Sequence, residues 1–316
     1  MNEVPKVSVL LPSLNVGPFI RQCLDSVVNQ TLREIEILCI DAGSTDGTFE
    51  ILLEYADRDP RIMLLHSDRR SYGHQVNLGL EAAKGEYIGI VETDDYVEPD
   101  MFESLYTAAR TAGFPDVVKA GYYNIWKEGP DPEFESVLRI RAETGEVFSL
   151  KDHYDLLINH PSIWSAVYRR DFLEKNEIRM LEVPGGGWVD NPFLFRTLCE
   201  AERICWVNRP LYWYRRTNPN ASSALKDCAM PMRRINDIKD YLDARYPNDT
   251  ALEKRLCHRA AVYIEIIMAS PFRTKEDLRL IRKTVRRFRP AILLRTFAGR
   301  LRFWTRAALQ RQRNLL

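Results

Sequence analysis

The chain has 316 residues, of which 45% are hydrophobic and 28% charged, with six cysteines and five histidines. These proportions are those of a folded globular protein, and they exclude a disordered, collagen-like or disulfide-stapled small protein. At roughly 150 residues per domain, the length predicts about two domains. The cysteines include no Cys-x-x-Cys pair and the histidines are dispersed, a pattern that favours buried thiols in a reducing compartment and indicates no zinc site.

The net charge of +1 conceals a strong asymmetry. From residue 273 onward the chain carries 12 Arg and two Lys against Glu276 and Asp277, a net charge of +12 that leaves −11 for the first 272 residues. An acidic body with a basic tail indicates that the tail meets an anionic surface. No apolar run approaches the roughly 20 residues of a membrane-spanning helix, and the first residues lack a signal-peptide layout, so we expect a cytosolic protein.

Short apolar strands alternate with helical patterns over the first hundred residues, which predicts an α/β fold with a doubly wound, mostly parallel sheet. In such sheets, ligands bind beyond the carboxyl ends of the strands. Asp41 and the run Glu92-Thr93-Asp94-Asp95, here called the acidic cluster, both follow predicted strands. The predicted strands are 7–11, 34–40, 62–65 and 87–91, and the predicted helices begin at 18, 48 and 73.

The alternation ends after about residue 115. Residues 122–150 favour loops, and residues 229–316 are predicted to be wholly helical. Between them the pattern predicts, in order, a strand over 163–168, a short helix, a glycine-rich loop at 184–188, a helix from near 190 and a strand over 204–216.

Like charges that converge in a cleft repel each other unless a cation or hydrogen-bond donors neutralise them. A Mg²⁺ or Mn²⁺ ion that bridges a diphosphate would do so, because these ions usually bind one or two carboxylates together with phosphate oxygens. A carboxylate away from the metal can instead accept hydrogen bonds from a ribose hydroxyl or a base. The spacing alone leaves open the alternative that Asp41 and Asp94 only cap loops.

Four features occur in a fixed order along the chain, namely PSLN at 12–15, IDAGSTDGT at 40–48, SYGHQVNLGLEAAKGEYIGIVETDD at 71–95, and Pro99. Together they resemble the donor half of glycosyltransferase family 2. The resemblance is strong over residues 5–110 and looser over 160–222. It implies the GT-A fold, a Rossmann-like sheet flanked by helices, here with an α-helical C-terminal extension. It also implies transfer from a nucleotide-activated sugar with inversion of configuration.

The resemblance implies roles for individual residues by position. Pro12 and Asn15 match the first loop, which lies against the nucleotide. Asp41 matches the aspartate that hydrogen-bonds the base, usually uracil.

In the acidic cluster, Asp94 matches the family's usual metal ligand, with Asp95 adjacent as a further ligand and Glu92 facing the nucleotide. The implied cofactor is Mn²⁺ or Mg²⁺.

The sequence departs from the family pattern at three positions. Ala42 stands where a second aspartate is common, and Glu92 replaces an aspartate while keeping its charge. Val76 stands where an arginine often holds the nucleotide. The residues that could replace this arginine are His74, Gln75 and Arg70. We take His74 as the candidate, the alternative being an exposed residue at a helix start. These departures leave the choice of nucleotide open.

The run Trp188-Val189-Asp190-Asn191-Pro192-Phe193 resembles the family's Glu-Asp-x-x-Phe motif, whose aspartate is the catalytic base. Asp190 matches that aspartate. An inverting transfer needs one carboxylate to deprotonate the acceptor hydroxyl, while a metal stabilises the charge on the departing diphosphate. Asp190 is also expected to be a helix N-cap, with Pro192 in the first turn, and both roles are compatible.

The glycines at 185–187 predict a mobile lid over a bound sugar. Trp188 either stacks on that sugar or packs in the core. The segment YWYRR at 212–216, followed by Ser222-Ser223, resembles a late segment of the family that reaches the diphosphate. Adjacent side chains of a strand point to opposite faces, so we favour Arg215 alone as a nucleotide contact. The alternative is a strand with solvent-facing arginines.

A helical projection of the tail separates apolar from basic residues, the layout of a helix in a bilayer interface. The apolar side holds Leu293, Leu294, Phe297, Leu301, Trp304 and Ala308, and the basic side Arg295, Arg302, Arg306 and Arg313. We expect this helix to bind an anionic membrane surface at the inner face of the cell membrane. The alternatives are packing on the chain's own core or on a homodimer partner. Nucleic-acid binding is not expected.

We therefore predict a metal-dependent, hexosyltransferase-type enzyme that moves a sugar from a nucleotide diphosphate, with UDP favoured, onto a saccharide acceptor for surface polysaccharide. A lipid-linked glycan is one candidate acceptor. The predicted donor-binding half is 1–110, the half with the acceptor site and base is 111–225, and the helical region is 226–316. Two alternatives remain, a non-catalytic sugar-nucleotide-binding or scaffold protein and a nucleotidyltransferase. The latter requires a basic, glycine-rich first loop that PSLNVGPF lacks.

Overall fold

The computed structural model describes residues 4–158, 160–218 and 227–298. The chain forms two compact units. The first comprises residues up to 156 together with 160–224, and the second comprises 157–159 and the chain from 225 onward. The predicted division of the first unit at residue 110 stays a prediction.

The first unit is built on a sheet flanked by helices. Its strands are β1 Val7–Ser13, β2 Ile35–Asp41, β3 Ile62–His66, β4 Tyr87–Ile90, β5 Tyr96–Val97, β6 Val117–Lys127, β7 Glu133–Val137, β8 Val147–Phe148, β9 Ala166–Arg169 and β10 Ile204–Arg215. Its helices are α1 Gly17–Val28, α2 Thr48–Ala56, α3 Tyr72–Ala82, α4 Met101–Thr111, α5 Arg170–Lys175 and α6 Asp190–Glu200. A short 3-10 helix spans Tyr154–Leu157.

The strand order is β3-β2-β1-β4-β9-β6-β10-β5, with β7 beside β6 and β8 beside β10. The first four strands are parallel to one another, as are β6 and β10, whereas β9 runs antiparallel between β4 and β6. All seven residues of β1 are buried, because helices cover both faces of a parallel sheet. The predicted α/β fold class with flanking helices is confirmed.

The prediction of loops over 122–150 is wrong in its first part. Residues 122–127 complete β6, an 11-residue strand, and β7 follows as its antiparallel neighbour. The first six residues of β6 are buried and the next five are largely half-buried or exposed, so the strand shows no single period of hydrophobicity. Strand β7 is almost entirely exposed, which removes the alternation that identifies a strand in a sequence.

The second unit is helical within its described residues, in agreement with the prediction. It contains α7 Met230–Arg245, α8 Thr250–Ala269 and α9 Lys275–Val285, and residues 290–298 are also helical. Buried Arg259 of α8 donates from Nε and Nη2 to the carbonyl of Leu157, at 2.8 and 2.6 Å. None of the described helices combines the length and the hydropathy needed to cross a membrane. The predicted tail beyond residue 298 lies outside the described residues.

Candidate active site

The carboxyl ends of β1, β2 and β4 meet at one edge of the sheet, because these strands are parallel neighbours. Ser13 ends β1 and lies opposite Asp41, which ends β2. The hydroxyl of Thr93, in the acidic cluster, donates a 2.8 Å hydrogen bond to the carbonyl of Pro12. The fold therefore brings Pro12, Asp41 and the acidic cluster to the edge at which ligands of such sheets bind.

Asp41 shapes the turn that follows it. The side chain is buried, and its Oδ2 accepts hydrogen bonds from the backbone N–H groups of Gly43 and Ser44, at 2.9 and 3.0 Å. The side chain of Asn15, whose φ is +53°, accepts a 2.8 Å hydrogen bond from the backbone N–H of Thr45. The side chain of Asn15 thus ties the loop after β1 to the loop after β2. Asp41 does cap its own loop, as the alternative drawn from the sequence proposed.

Glu92 is half-buried and lies among other acids. The phenol of Tyr72 donates a 2.6 Å hydrogen bond to its Oε1. Burial raises the pKa of Glu92 to about 8, the Tyr72 hydrogen bond acts against that rise, and the charges of Asp94 and Asp190 add to it. Since charges act on a pKa only at short range, Glu92, Asp94 and Asp190 share one region of the molecule.

The two adjacent aspartates of the acidic cluster have different surroundings. Asp95 is fully buried, and its carboxylate accepts a 2.8 Å hydrogen bond from the Tyr212 phenol and a 2.7 Å hydrogen bond from the backbone N–H of Arg215. Asp94 is half-buried, and its Oδ2 accepts a 2.7 Å hydrogen bond from the amide of Asn218. Of the two, Asp94 is the more accessible to a ligand.

Arg215 is buried beneath the acidic cluster. Its Nε and Nη2 bind the two carboxylate oxygens of Glu128, each at 2.8 Å, and Nη2 also donates to Gln22 at 2.6 Å. Its Nη1 donates to the backbone carbonyl of Asp94. The guanidinium therefore holds the main chain of the acidic cluster, a contact that the strand pattern could not reveal. Its contact with a nucleotide stays a prediction.

Helix α3 positions the glycine-rich loop. The backbone N–H of Tyr72 donates to the carbonyl of Gly185 at 3.1 Å, and the backbone N–H of Gly185 donates to the carbonyl of Arg70 at 2.9 Å. The side chain of Asn77 pairs with the backbone of Met180, accepting at 2.9 Å and donating at 3.0 Å. These bonds bring the chain that precedes Asp190 against α3. The predicted lid movement of the loop stays a prediction.

Asp190 begins α6 but is not its N-cap, so that expectation is wrong. Val189 occupies the N-cap position, just after Trp188, whose φ is +54°. Asp190 lies within the first turn, and its Oδ1 accepts hydrogen bonds from the backbone and side-chain N–H groups of Asn191, both at 3.0 Å. Trp188 is half-buried, and its role as a sugar contact stays a prediction.

His74 lies in the first turn of α3 with most of its side chain buried, not in solvent as the alternative supposed. Its Nδ1 lies 3.0 Å from Glu182 and its Nε2 lies 3.1 Å from Asp68. Glu182 also accepts a 2.9 Å hydrogen bond from Arg69. Since both ring nitrogens have carboxylate partners, a nucleotide contact would replace one of them, and this role stays a prediction.

Several residues at this edge have no counterpart in the sequence patterns. Tyr72 and Tyr212 hold Glu92 and Asp95, Glu182 holds His74, and Glu128 holds Arg215. Their partners are 20 to 117 positions away along the chain. Of these residues, only Tyr212 could have been suspected from the sequence, because it lies in the aromatic segment that precedes Arg215. Its position there does not predict that it binds Asp95.

The acidic cluster suits a divalent ion that is shared with a ligand. The described residues contain no group of three or more His, Cys, Asp or Glu arranged to hold a metal by themselves. Mg²⁺ and Mn²⁺ often take only one or two protein carboxylates and complete their shell with phosphate oxygens. The half-buried carboxylate of Asp94, with the carboxyl groups of Glu92 and Asp190 in the same region, provides a donor set of this kind.

Comparison with known proteins identifies the family. The model of the family described as "Glycosyl transferase family 2" matches residues 8–176, more than half of the chain. The chain belongs to this family. Glycosyltransferase EpsJ of Bacillus subtilis (strain 168), which is described as uncharacterized, is 35% identical over 231 residues. That match spans 69% of this chain and 63% of EpsJ, so the chain covers less than two thirds of this relative.

Two further comparisons extend over more of the chain. Glycosyltransferase GlyG of Streptococcus pneumoniae serotype 4 is 28% identical over 299 residues, which cover 82% of this chain and 96% of GlyG. The crystal structure of S. aureus TarS 1-349 in complex with UDP-GlcNAc has a TM-score of 0.75 and 17% identity, and covers 91% of this chain and 82% of that one. At this identity the structural likeness shows the fold alone, and it agrees with the expected GT-A fold.

Proposed function

We propose that this protein is an inverting, metal-dependent glycosyltransferase that moves a sugar from a UDP-sugar onto a saccharide acceptor in surface polysaccharide synthesis. The single observation that carries the proposal is that Tyr72 binds Glu92 through its phenol and the loop before Asp190 through its backbone, in the region where Asp94 and Asp190 both act on the pKa of Glu92. Membership of glycosyl transferase family 2 supports the same activity.

The donor nucleotide is proposed to lie against the loops after β1 and β2. Pro12 and Asn15 would contact it from the first loop, and Asp41 would accept a hydrogen bond from the base. His74 and Glu92 would contact it from α3 and the acidic cluster. UDP is favoured because Asp41 is the same residue type as the family's base-binding aspartate, whose usual partner is uracil. TarS, a protein of the same fold, is described in complex with UDP-GlcNAc.

A Mn²⁺ or Mg²⁺ ion would be held by Asp94 and by the diphosphate of the donor. When bound, the ion supplies positive charge that stabilises the diphosphate as it departs. Asp95 would become a second ligand only by releasing Tyr212 and the backbone of Arg215, so Asp94 is the principal candidate. Arg215 would act mainly by holding the backbone of Asp94, and would reach the diphosphate only by leaving Glu128.

Asp190 is proposed to accept the proton of the acceptor hydroxyl as that oxygen attacks the anomeric carbon. The two hydrogen bonds from Asn191 to one carboxylate oxygen orient the side chain. Trp188, in the turn just before α6, would pack against the sugar.

The test separates donor binding from transfer. Calorimetry with UDP, with and without Mn²⁺, measures donor binding, and release of UDP from UDP-GlcNAc, UDP-glucose or UDP-galactose measures turnover. We expect Asp190→Asn to bind UDP like the wild type and to turn over at least about 100-fold more slowly. Asp171→Asn is the matched control, because Asp171 also lies in the first turn of a helix but is largely exposed. Full activity of Asp190→Asn would refute the proposed base, and absence of UDP binding would refute the donor site.

The acceptor is proposed to be lipid-linked, with the basic C-terminal region on the inner face of the cell membrane. In the described part of this region, Arg279, Arg282, Lys283 and Arg286 are exposed and lie on one face of a helix, and Leu294 and Phe297 are exposed nearby in the sequence. Flotation with anionic vesicles should be strong for the full chain and weak for a chain that ends at residue 290. Equal flotation of both would refute the membrane contact, and light scattering would show whether the region forms a homodimer instead.

A further inference from the structure

A cavity of about 270 Å³, open to solvent on one side, lies beside Tyr96, the residue that follows the acidic cluster. Its walls come from α1, β5, the end of β6, the loop at 128–132, β7 and β10. Since a single water needs about 10–15 Å³ of such space, the cavity can admit a ring-sized ligand.

One wall of this cavity is a rigid stack of aromatic rings. The Trp213 ring is stacked on Tyr96 and on Tyr123, with centroids 5.6 and 4.0 Å apart, and its Nε1 donates to Glu98 at 2.7 Å. Phe134 meets Trp213 edge to face at 5.2 Å and is 49% exposed. The packing and the hydrogen bond fix these rings before any ligand arrives, which lowers the entropy lost on binding.

The polar groups of the cavity are a carboxylate and a primary amide. Arg215 binds both Glu128 and Gln22, and its hydrogen bond lowers the pKa of Glu128, so Glu128 stays an ionised acceptor. Oε1 of Gln22 accepts the hydrogen bond from Arg215, so the amide N–H donors of Gln22 point away from Arg215. Aromatic surface beside a carboxylate and an amide matches a pyranose ring, which presents C–H groups on its faces and hydroxyls at its rim.

We infer that this cavity binds one neutral pyranose unit of the acceptor, apart from the unit that is glycosylated. This inference rests on the proposed function, because it assumes a saccharide acceptor. The cavity shares Arg215 with the acidic cluster, since the same guanidinium binds Glu128, Gln22 and the carbonyl of Asp94. A sugar in the cavity would therefore contact the residues that hold the proposed metal ligand in place.

Saturation-transfer NMR tests the inference with methyl glucoside, methyl galactoside, N-acetylglucosamine and glucuronate as probes. We expect at least one neutral sugar to bind the full chain at millimolar concentration, and glucuronate to bind more weakly because of Glu128. Phe134→Ala and Gln22→Ala should each weaken binding roughly threefold to tenfold. Trp126→Ala is the matched control, because Trp126 is also 49% exposed, precedes the loop at 128–132 and does not line the cavity.

The outcomes separate this inference from the proposed function. Calorimetry with UDP is run on the same proteins, and UDP should bind the wild type and Phe134→Ala equally. If UDP binds but none of the neutral sugars does, or if Trp126→Ala weakens sugar binding as much as Phe134→Ala, the inference is wrong while the donor site stands. If an octyl glucoside probe receives saturation on its alkyl chain and not on its ring, the cavity binds an apolar group and the inference is also wrong. If UDP fails to bind, the proposed function fails whatever the sugars do.

Discussion

The phenol of Tyr212 donates a 2.8 Å hydrogen bond to Asp95 and accepts a 3.0 Å hydrogen bond from the backbone N–H of Glu92. One hydroxyl therefore binds both Glu92 and Asp95, the two residues that flank Thr93 and Asp94. Because Asp95 is fully buried, water cannot replace this bond without a change in structure. The position of the proposed metal ligand depends on β10 as well as on its own segment.

Replacing Tyr212 by phenylalanine should loosen the acidic cluster. We expect Tyr212→Phe to lower the free energy of unfolding by about 1–3 kcal/mol, since it leaves Oδ2 of the buried Asp95 without its Tyr212 donor while Oδ1 keeps the Arg215 backbone. The Mn²⁺-dependent part of UDP affinity should fall as well, as measured by calorimetry. Tyr123→Phe is the control, because Tyr123 packs on Trp213 in the next strand. Equal losses in the two variants would show that the Tyr212 hydroxyl has no special role.

The two adjacent aspartates should respond differently to the same substitution. Asp94→Asn removes charge at a half-buried position, so we expect it to abolish the gain in UDP affinity that Mn²⁺ provides while leaving the melting temperature unchanged. Asp95→Asn should lower the free energy of unfolding by about 1 kcal/mol and retain most of the Mn²⁺ effect, because Asp95 is bound within the fold. The reverse pattern would identify Asp95 as the metal ligand.

Gly73 is required where α3 meets the loop that leads to Asp190. A Cβ at this position would lie 2.1 Å from the carbonyl oxygen of Leu181, which cannot move without breaking the pairing of Asn77 with Met180. We expect Gly73→Ala to lower the free energy of unfolding by about 1–3 kcal/mol and to reduce turnover.

Gly79→Ala provides the comparison on the same helix. Its added Cβ would meet only the methyl groups of Leu10 and Ile40, at 2.9–3.2 Å, which side-chain rotation can relieve. Gly79→Ala should therefore lower the free energy of unfolding, measured in urea, by less than Gly73→Ala does. The higher helix propensity of alanine also acts in its favour. A Gly73→Ala variant as stable and active as Gly79→Ala would contradict the contact with Leu181.

Lys119 should make stability depend on pH. The side chain is buried in β6, where it donates to the carbonyl of Ser162 at 2.6 Å, and burial lowers its pKa to about 7 from 10.5. Between these values the unfolded chain binds the proton and the folded chain does not, so the free energy of unfolding should rise with pH, on the order of 1 kcal/mol per pH unit. Below about pH 7 Lys119 is protonated in the folded chain as well, so the full free-energy cost of burying its charge lowers the stability of the fold.

Lys119→Met should remove this dependence and be most stabilising below pH 7. Urea unfolding at pH 7 and pH 9 measures the change. Lys127→Met, at an exposed position of the same strand, should keep the wild-type slope. A slope retained by Lys119→Met would assign the pH dependence to other groups.

The sequence predicted the parallel half of the sheet well because three of its four strands, β1, β2 and β4, are almost entirely buried on both faces. Apolar runs such as residues 35–40, each ending at a polar residue, identify both the strand and its carboxyl end. The same rule placed Asp41 and Asp94 at one edge. It failed for β7, whose exposed charged residues leave no apolar alternation, and it missed β6, over which no strand was predicted.

The chemistry of the site was less predictable than its location. That Asp95 turns into the core while Asp94 does not depends on Tyr212 and Arg215, which lie about 120 residues away. No local pattern distinguishes two adjacent aspartates. The start of α6 was misplaced by one residue, because Trp188 takes a left-handed turn that its residue type does not suggest.

Strand β9, residues Ala166–Arg169, lies between β4 and β6 and forms the junction of the central sheet. A nascent or truncated chain that stops before residue 166 would leave one edge of β4 without hydrogen-bond partners, and an open edge of that kind invites aggregation. A fragment of residues 1–110, the predicted donor-binding half, is therefore expected to aggregate when it is produced alone. During synthesis, the sheet can close only after more than half of the polypeptide has emerged from the ribosome.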